Sequence, residues 1–301
     1  MAFFAIHIFL WKCPTALSAV EYGVRPSQTV VQHWWIRFIM AWPKRVGMEE
    51  KRSNDIQSVQ TAFDILEELQ RSNEATLTEL TDSFSLSKSS IHNYLSTLEQ
   101  AGYVIKDNNT YRLSLRHLAL GGKARHREQI YEIAKEEVTE LANETGELAN
   151  LLVEENGRGA YIHRAHGADA VKTDSYIGQR VNLHSTGLGK AILAHLPEER
   201  VDEIIDQHGL PGMTENTITD RDELFDRLER VRNEGVAFDD EARVKGLRCV
   251  AVPIVNNNNV VEGAISVSGP TSRLQGDRFR SELPAKLKSV ANVIELNITY
   301  T

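Results

Sequence analysis

From Ser58 onward the apolar positions recur with the spacing of helices. Val59, Ala62, Phe63, Leu66 and Leu69 follow at three- and four-residue intervals and predict a helix over Ser58–Leu69 with one apolar face. The polar stretch Ser72–Ala75 breaks it. Thr76 followed by Glu79 fits a capping box, so a second helix starts there and turns Leu77, Leu80 and Phe84 inward. After a turn at Ser85–Ser87, the positions Ile91, Leu95 and Leu98 predict a third helix over Ser87–Gln100, closed by Gly102. Two β-rich runs, Tyr103–Lys106 and Tyr111–Leu113, flank a polar turn and predict a hairpin. Helix, helix, tight turn, helix and hairpin in this order define a winged helix-turn-helix, placed at residues 55–116.

The polar face of the third helix consists of Lys88, Ser89, Ser90, His92, Asn93, Ser96 and Thr97. A plain solvated helix carries Glu/Lys pairs instead. Small hydrogen-bonding side chains let a helix sit deep in the major groove and reach base edges and phosphates. Lys88, Ser89, Ser90, His92, Asn93 and Thr97, with Lys106 and Arg112 of the hairpin, are therefore the candidate DNA-contacting residues. Residues 48–120 hold seven basic and eleven acidic residues, a surplus of the wrong sign for a DNA reader. Four of the seven, Lys88, Lys106, Arg112 and Arg116, nevertheless fall on or beside the third helix and hairpin, while the acids crowd the first two helices. Screening limits reach to about 8–10 Å, so the local sign decides.

Residues 117–146 read as a helical linker. A basic cluster, Lys123, Arg125, His126 and Arg127, precedes a helical stripe of Ile130, Ile133, Ala134, Val138 and Leu141. A stripe of this kind between two domains is expected to dock on a partner, often a second copy of the chain. From Leu148 the period shortens. Leu148–Val153 and Ala160–His163 read as strands, Thr186–His195 as a helix ended by Pro197, and Asp220–Asn233 as a charged amphipathic helix. Cys249–Val255 and Val260–Val267 are strands joined by four asparagines, and Phe279–Leu296 is a closing helix. Antiparallel hairpins mixed with helices over 147–301 make the fold class α+β with a sensor-like second domain.

Composition sharpens the domain plan. The chain has 301 residues and a net charge of −8. Residues 1–47 hold five basic residues, one acid and all four tryptophans, leaving −12 for the rest. This extension is not expected to share the fold, and translation is expected to begin at Met48. The competing reading is a membrane-associating tail, but no basic residue precedes the apolar Ala2–Trp11 of a would-be signal peptide. Lys12, Pro14 and Glu21 interrupt it well short of the ~20 apolar residues of a membrane span. From Met48 on, acids outnumber bases and arginine outnumbers lysine, 19 to 10, a balance that suits a host with a salty cytoplasm such as a halophilic archaeon.

Two cysteines, Cys13 and Cys249, exclude a disulfide framework and a four-thiolate zinc site. The histidine pairs His163/His166 and His184/His195 lack the companion ligands of a metal site. Gly187–Lys190 is not a phosphate-binding P-loop, because Ala191 follows the lysine. No Gly-x-Ser-x-Gly elbow occurs. Neither enzyme chemistry, a cofactor nor a metal is expected.

Four segments resemble the IclR-type transcriptional regulators. Ser58–Leu66 resembles the family's first helix, and Leu86–His92 its turn and recognition helix. Arg180–Ala191 (RVNLHSTGLGKA) and Gly246–Ile254 followed by Ala264–Pro270 resemble two effector-domain signatures. The likeness spans Ser58 to Leu296. It implies a winged-helix DNA-binding domain, a helical linker and a GAF/PAS-like effector domain, cytoplasmic and without membrane attachment. It implies a homodimer or dimer of dimers on operator DNA, repressing or activating catabolic genes in response to a small organic acid, aromatic or sugar-derived metabolite. Asn93 departs from the arginine common in the family, and asparagine suits adenine.

The resemblance also implies an effector pocket lined by Gly187, Leu188, Asp239, Leu247, Cys249, Ser266 and Ser268. Ser266 and Ser268, two apart on a strand, share a face with Ala264, and buried hydroxyls need partners that a ligand carboxylate or hydroxyl could supply. The Gly187–Gly189 segment, opening a helix, is expected to offer free N–H groups to an anion. Within the acidic run, Asp239 is the expected ligand-facing acceptor, and Asp240 and Glu241 the structural members. The competing function is a small-molecule-binding or enzymatic domain whose N-terminal helices serve only protein association.

Overall fold

The computed structural model describes residues 55–300. The 1–47 extension and the expected start at Met48 lie outside these. Helices α1 (Gln57–Ser72), α2 (Leu77–Ser83) and α3 (Lys88–Gln100) pack on a small antiparallel sheet of β1 (Ala75–Thr76), β3 (Thr110–Leu113) and β2 (Val104–Asp107), in that spatial order. The capping box forms as read: the Glu79 N–H donates to Thr76 Oγ1 at 3.2 Å and the Thr76 N–H donates to Glu79 Oε2 at 2.7 Å. Helix α3 ends in a Schellman closure. The N–H groups of Gly102 and Tyr103 reach the carbonyls of Glu99 and Leu98, both at 2.9 Å, with Gly102 at φ +79°. Ile65, Leu69, Leu80, Ile91, Leu95, Val104 and Tyr111 fill the core.

The first helix turns a different face inward than the spacing suggests. Thr61, Ile65 and Leu69 are buried, whereas Val59 and Phe63 remain 49% and 59% exposed. The apolar stripe is wider than α2 and α3 can cover. Its uncovered half, with Tyr94, Leu98, Leu113 and Leu120, lines an open groove of about 770 Å³.

Two helices follow, α4 (Arg116–His126) and α5 (Gln129–Thr145). Helix α4 buries no residue, and the flanking Leu115 with Leu118 and Leu120 are largely exposed. Helix α5 does the opposite. Ile130, Tyr131, Ala134, Val138, Leu141 and Ala142 are buried in the core of the chain's own second domain. The stripe expected to wait for a partner is thus satisfied internally, and α4 alone acts as the link.

The second domain is built on a six-stranded antiparallel sheet, β6-β5-β4-β9-β8-β7, of β4 (Leu148–Glu155), β5 (Arg158–His166), β6 (Arg180–Asn182), β7 (Ala237–Asp240), β8 (Leu247–Val255) and β9 (Val261–Pro270). Both faces are covered. Helix α5 and the closing α9 (Leu283–Tyr300) lie over Leu151, Val250, Val252, Ile265 and Val267. On the other face α6 (Gly187–Leu193), α7 (Glu198–His208) and α8 (Arg221–Glu234) cover Leu152, Ala237, Ala251 and Ala264. Because β9 is buried on both sides, Ser266 and Ser268 face one core and Ile265 and Val267 another. The four-asparagine loop ties itself off: Asn256 Oδ1 accepts the N–H groups of Asn258 and Val260 at 2.9 and 3.1 Å.

Candidate effector site and DNA-reading face

Strand register assembles a polar patch on the sheet face beneath α6. Asp239, Cys249 and Ser268 are consecutive cross-strand partners on β7, β8 and β9. In the next row Ala251, Ser266, Asn150 and Arg164 are partners across β8, β9, β4 and β5. Asn150 Nδ2 donates to the Ser266 hydroxyl at 3.2 Å and to that of Ser268 at 3.5 Å, and its Oδ1 accepts from Arg164 Nε at 3.0 Å. Both hydroxyls also reach Cys249, whose thiol is pushed up to about 11 by burial. It is therefore a protonated, unreactive wall at neutral pH.

Helix α6 closes over this patch. Its glycines permit the approach: a Cβ on Gly187 would stand 3.3 Å from Cys249 Sγ, and one on Gly189 only 2.1 Å from the Leu183 carbonyl oxygen. The expected anion-binding helix start is largely self-satisfied. Thr186 Oγ1 accepts the Gly189 N–H at 2.9 Å, and the Thr186 carbonyl accepts that of Lys190 at 3.0 Å. The cation is instead a side chain. Lys190 is 2% exposed, and its ammonium has no hydrogen bond or ion pair among the described residues. Burial pushes its proton affinity down, opposed by the field of Asp239. Burial likewise raises the proton affinity of Asp239, opposed by Lys190.

Two arginines complete the positive field. Arg164 and Arg243 lie 5.9 and 6.0 Å from the centre of the buried Tyr161 ring. Burial pushes that phenol up to about 12. Both arginines also tie down the strap of residues 167–179, through Thr173 at 2.8 Å and Ser175 at 3.4 Å.

Of the residues expected to line the pocket, Gly187, Asp239, Cys249, Ser266 and Ser268 come together. Leu188 joins the apolar core of this face, and Leu247 stands half-buried at the start of β8, two residues before Cys249. Asp239 also has a structural task, since its Oδ1 accepts the Ala242 N–H at 2.7 Å. Asp240 pairs with Arg248 at 2.6 Å, and Glu241 accepts the Gly246 N–H at 2.6 Å. Lys190, Arg164, Asn150 and Arg243 are missing from the sequence reading. A single lysine in the otherwise apolar helix GLGKAIL is the one signal that could have found Lys190.

On the first domain Lys88, Ser89, His92, Asn93 and Thr97 are exposed along α3. The Ser87 side chain caps the helix, accepting the Ser90 N–H at 3.1 Å and meeting the Ser89 and Ser90 hydroxyls at 2.9 Å. Half-buried Ser90 thereby belongs to the helix start. The Thr97 hydroxyl donates back to the Asn93 carbonyl at 2.9 Å. Lys106 and Arg112 lie on opposite faces of the hairpin: Lys106 pairs with buried Tyr111 and stacks on its ring, whereas Arg112 pairs with exposed Ile105. Arg116, counted with the basic residues near the hairpin, instead closes α3. Its Nη1 donates to the Ala101 carbonyl at 2.7 Å and its guanidinium stacks on Tyr103.

A winged helix with a polar, outward-facing recognition helix, joined to a sheet domain with a buried charged patch, defines a DNA-binding transcriptional regulator with an effector domain. Residues 58–108 match the IclR helix-turn-helix domain, and residues 122–296 match the bacterial transcriptional regulator IclR C-terminal domain. The chain belongs to the IclR family of transcriptional regulators, a family of DNA- and effector-binding proteins rather than enzymes. It is 34% identical over 247 residues to a Halobacterium salinarum protein named "Probable HTH-type transcriptional regulator ArcR", covering 81% of this chain and 94% of that one. It is 32% identical over 253 residues to the HTH-type transcriptional regulator KdgR of Escherichia coli, covering 83% and 96%. The crystal structure of Thermotoga maritima IclR superposes with a TM-score of 0.68 at 29% identity, covering 81% of this chain and 99% of that chain. Among the described residues no helix is long and apolar enough to cross a membrane.

Proposed function

We propose that this regulator is a cytoplasmic homodimer, or dimer of dimers, that controls catabolic genes in response to a small organic acid. The observation that carries the effector class is Lys190. A buried ammonium without a bonded partner is costly, and an effector carboxylate is the group that would offset that cost. Arg164 and Arg243 make the surrounding field positive. The Ser266 and Ser268 hydroxyls and Asp239 would orient the hydroxyl or keto end of the ligand.

DNA contact is assigned to Lys88, Ser89, His92, Asn93 and Thr97 on α3, with Ser90 holding the helix start and Lys106 and Arg112 flanking from the hairpin. Asn93 is the base reader, by bidentate hydrogen bonding to adenine, and Lys88 a phosphate contact. The mechanism is population shift. Effector binding changes how α4 orients the two winged helices of a dimer, and so how well their spacing fits the operator.

The test is retardation of the chain's own upstream intergenic DNA across a salt series, with and without candidate organic acids. Specific retention, weakened by Asn93→Ala and altered by one acid but not in Lys190→Met, is the expected result. Equal retention by wild type and by Lys88→Ala and Asn93→Ala variants would leave the N-terminal helices as a protein-association module.

A further inference from the structure

The edge strand β7 has a second charged neighbourhood on its far side. Ala237 packs with the core under α6 and Asp239 faces Lys190, whereas Val236 and Phe238 turn the other way. Val236 and Phe238 floor a cleft of about 320 Å³ walled by Arg227 and Arg230 of α8 and by Arg280.

Arg280 is held in place. Its guanidinium lies 5.1 and 5.0 Å from the ring centres of Phe238 and Phe279, which themselves meet edge to face at 5.1 Å. A π-helical turn, Arg278–Glu282, sends Phe279 into the core while Arg280 reaches the cleft. Single π turns are rare and concentrate at functional sites.

None of the three arginines has a hydrogen bond or ion pair among the described residues. Their neighbours do. Arg221 on the same helix holds Asp202 at 2.6 Å, and Arg232 donates to the Ala194 carbonyl at 2.6 Å. Arg248, stacked on the same Phe279, grips Asp240 at 2.6 and 3.3 Å. The one acid of the lining, Glu234, stands a helical turn beyond Arg230, so the lining carries +2 in a chain of net charge −8.

We infer that this cleft binds a small dianion, a phosphomonoester or a dicarboxylate, at a second ligand site on the other side of β7 from the Lys190 patch, with the field of Arg227 reaching both. The +2 lining balances such a ligand. Guanidinium edges match its oxygens in pairs, and Phe238 offers an apolar floor to its carbon skeleton. Phe238 and Asp239 are consecutive on β7, so a ligand here braces the strand that carries an effector-site residue.

The experiment is calorimetric titration of the full chain with inorganic phosphate and with succinate, at constant ionic strength and without DNA. One saturable site per chain is expected, with acetate giving none. Arg230→Gln and Arg280→Gln, both at exposed positions, should each weaken it at least about tenfold, the effect of losing a charge-assisted hydrogen bond. Lys190→Met should retain it. Preference for phosphate or for succinate tells a phosphoester from a dicarboxylic acid. No saturable binding, unchanged binding in both arginine variants, or loss in Lys190→Met would overturn the inference.

Discussion

His163 and Arg164 are neighbours on β5 whose side chains serve opposite faces of the sheet. A bulge at Ile162 shifts the register between β4 and β5, so that Leu151 pairs with His163 and Asn150 with Arg164. Arg164 thereby joins Asn150 in the buried polar patch. His163 emerges under α5, where its Nε2 lies 3.1 Å from Thr139 Oγ1 and its ring meets Tyr131 edge-on at 6.0 Å. Tyr131 in turn carries Arg125 of α4 on its face at 4.3 Å and His126 at 5.7 Å. Two adjacent residues thus connect the buried polar patch to the end of the linking helix.

That connection predicts where coupling can be cut. His163→Phe keeps a ring under Tyr131 but removes the polar contact to Thr139. Effector affinity and DNA affinity, each measured alone, should stay within about twofold, while the effector-induced change in DNA affinity, typically about 5–150-fold, falls toward one. Retardation titrations with and without the active organic acid measure this directly. An unchanged ratio would remove His163 from the route.

His163 also sets an acid limit on stability. Burial, and then the field of Arg125, hold its proton affinity below the ordinary 6.5, against a smaller opposing pull from the Lys135 backbone. His184 is depressed too, by burial first. A folded state that binds protons more weakly than the unfolded chain is favoured at neutral pH and loses that advantage as pH falls. Asp239, its affinity raised by burial, works in the opposite sense. Urea midpoints should therefore fall less steeply for His163→Phe than for wild type between about pH 7 and pH 5, with His184 supplying the remaining slope. Parallel profiles would contradict the assignment.

Lys190 and Asp239 trade stability for function. Lys190→Met should weaken binding of the organic acid at least about tenfold, since a carboxylate loses its cation. It also removes the stronger of the two positive charges acting on buried Asp239, leaving only the weaker field of Arg243, so the variant should melt below wild type. The double change Lys190→Met with Asp239→Asn removes both charges and should recover that loss, ending about level with wild type or up to about 4 kcal/mol more stable. Thermal melts of the three proteins test this, and a double variant less stable than Lys190→Met would refute it.

The first domain was largely legible in the sequence because its signals are local. The Thr76–Glu79 box, the Gly102 closure and the spacing of Ile91 and Leu95 all lie within a few residues of one another. The effector patch was half legible. Alternation places Ser266 beside Ser268, but no local rule pairs Ser266 with Asn150, 116 positions away. Nor does any reveal the Ile162 bulge that brings Arg164 to the same face. An apolar stripe says that a helix is covered, not by what, which is why α5 was expected on a partner. The short edge strands β6 and β7, three and four residues long, and the charged helix α7 carry too weak a pattern to stand out.

The apolar surface that remains uncovered predicts the dimer contact. Val59 and Phe63 of α1 and Leu118 and Leu120 of α4 are each about half or more exposed on the first domain, beside the 770 Å³ groove. Contiguous apolar patches of this kind mark association sites. A two-fold axis would count every contact twice. Burying one such side chain contributes about 1.5–3 kcal/mol, so a single charge substitution removes about 3–6 kcal/mol from a symmetric interface. Phe63→Glu and Leu120→Glu should each raise the dimer dissociation constant at least about a hundredfold, read by sedimentation over a concentration series. Because both residues face solvent in the single chain, circular dichroism should be unchanged. DNA affinity should fall with the dimer, since two half-sites are then bound one at a time. A chain that stays dimeric in both variants would place the contact elsewhere and leave this groove without a partner.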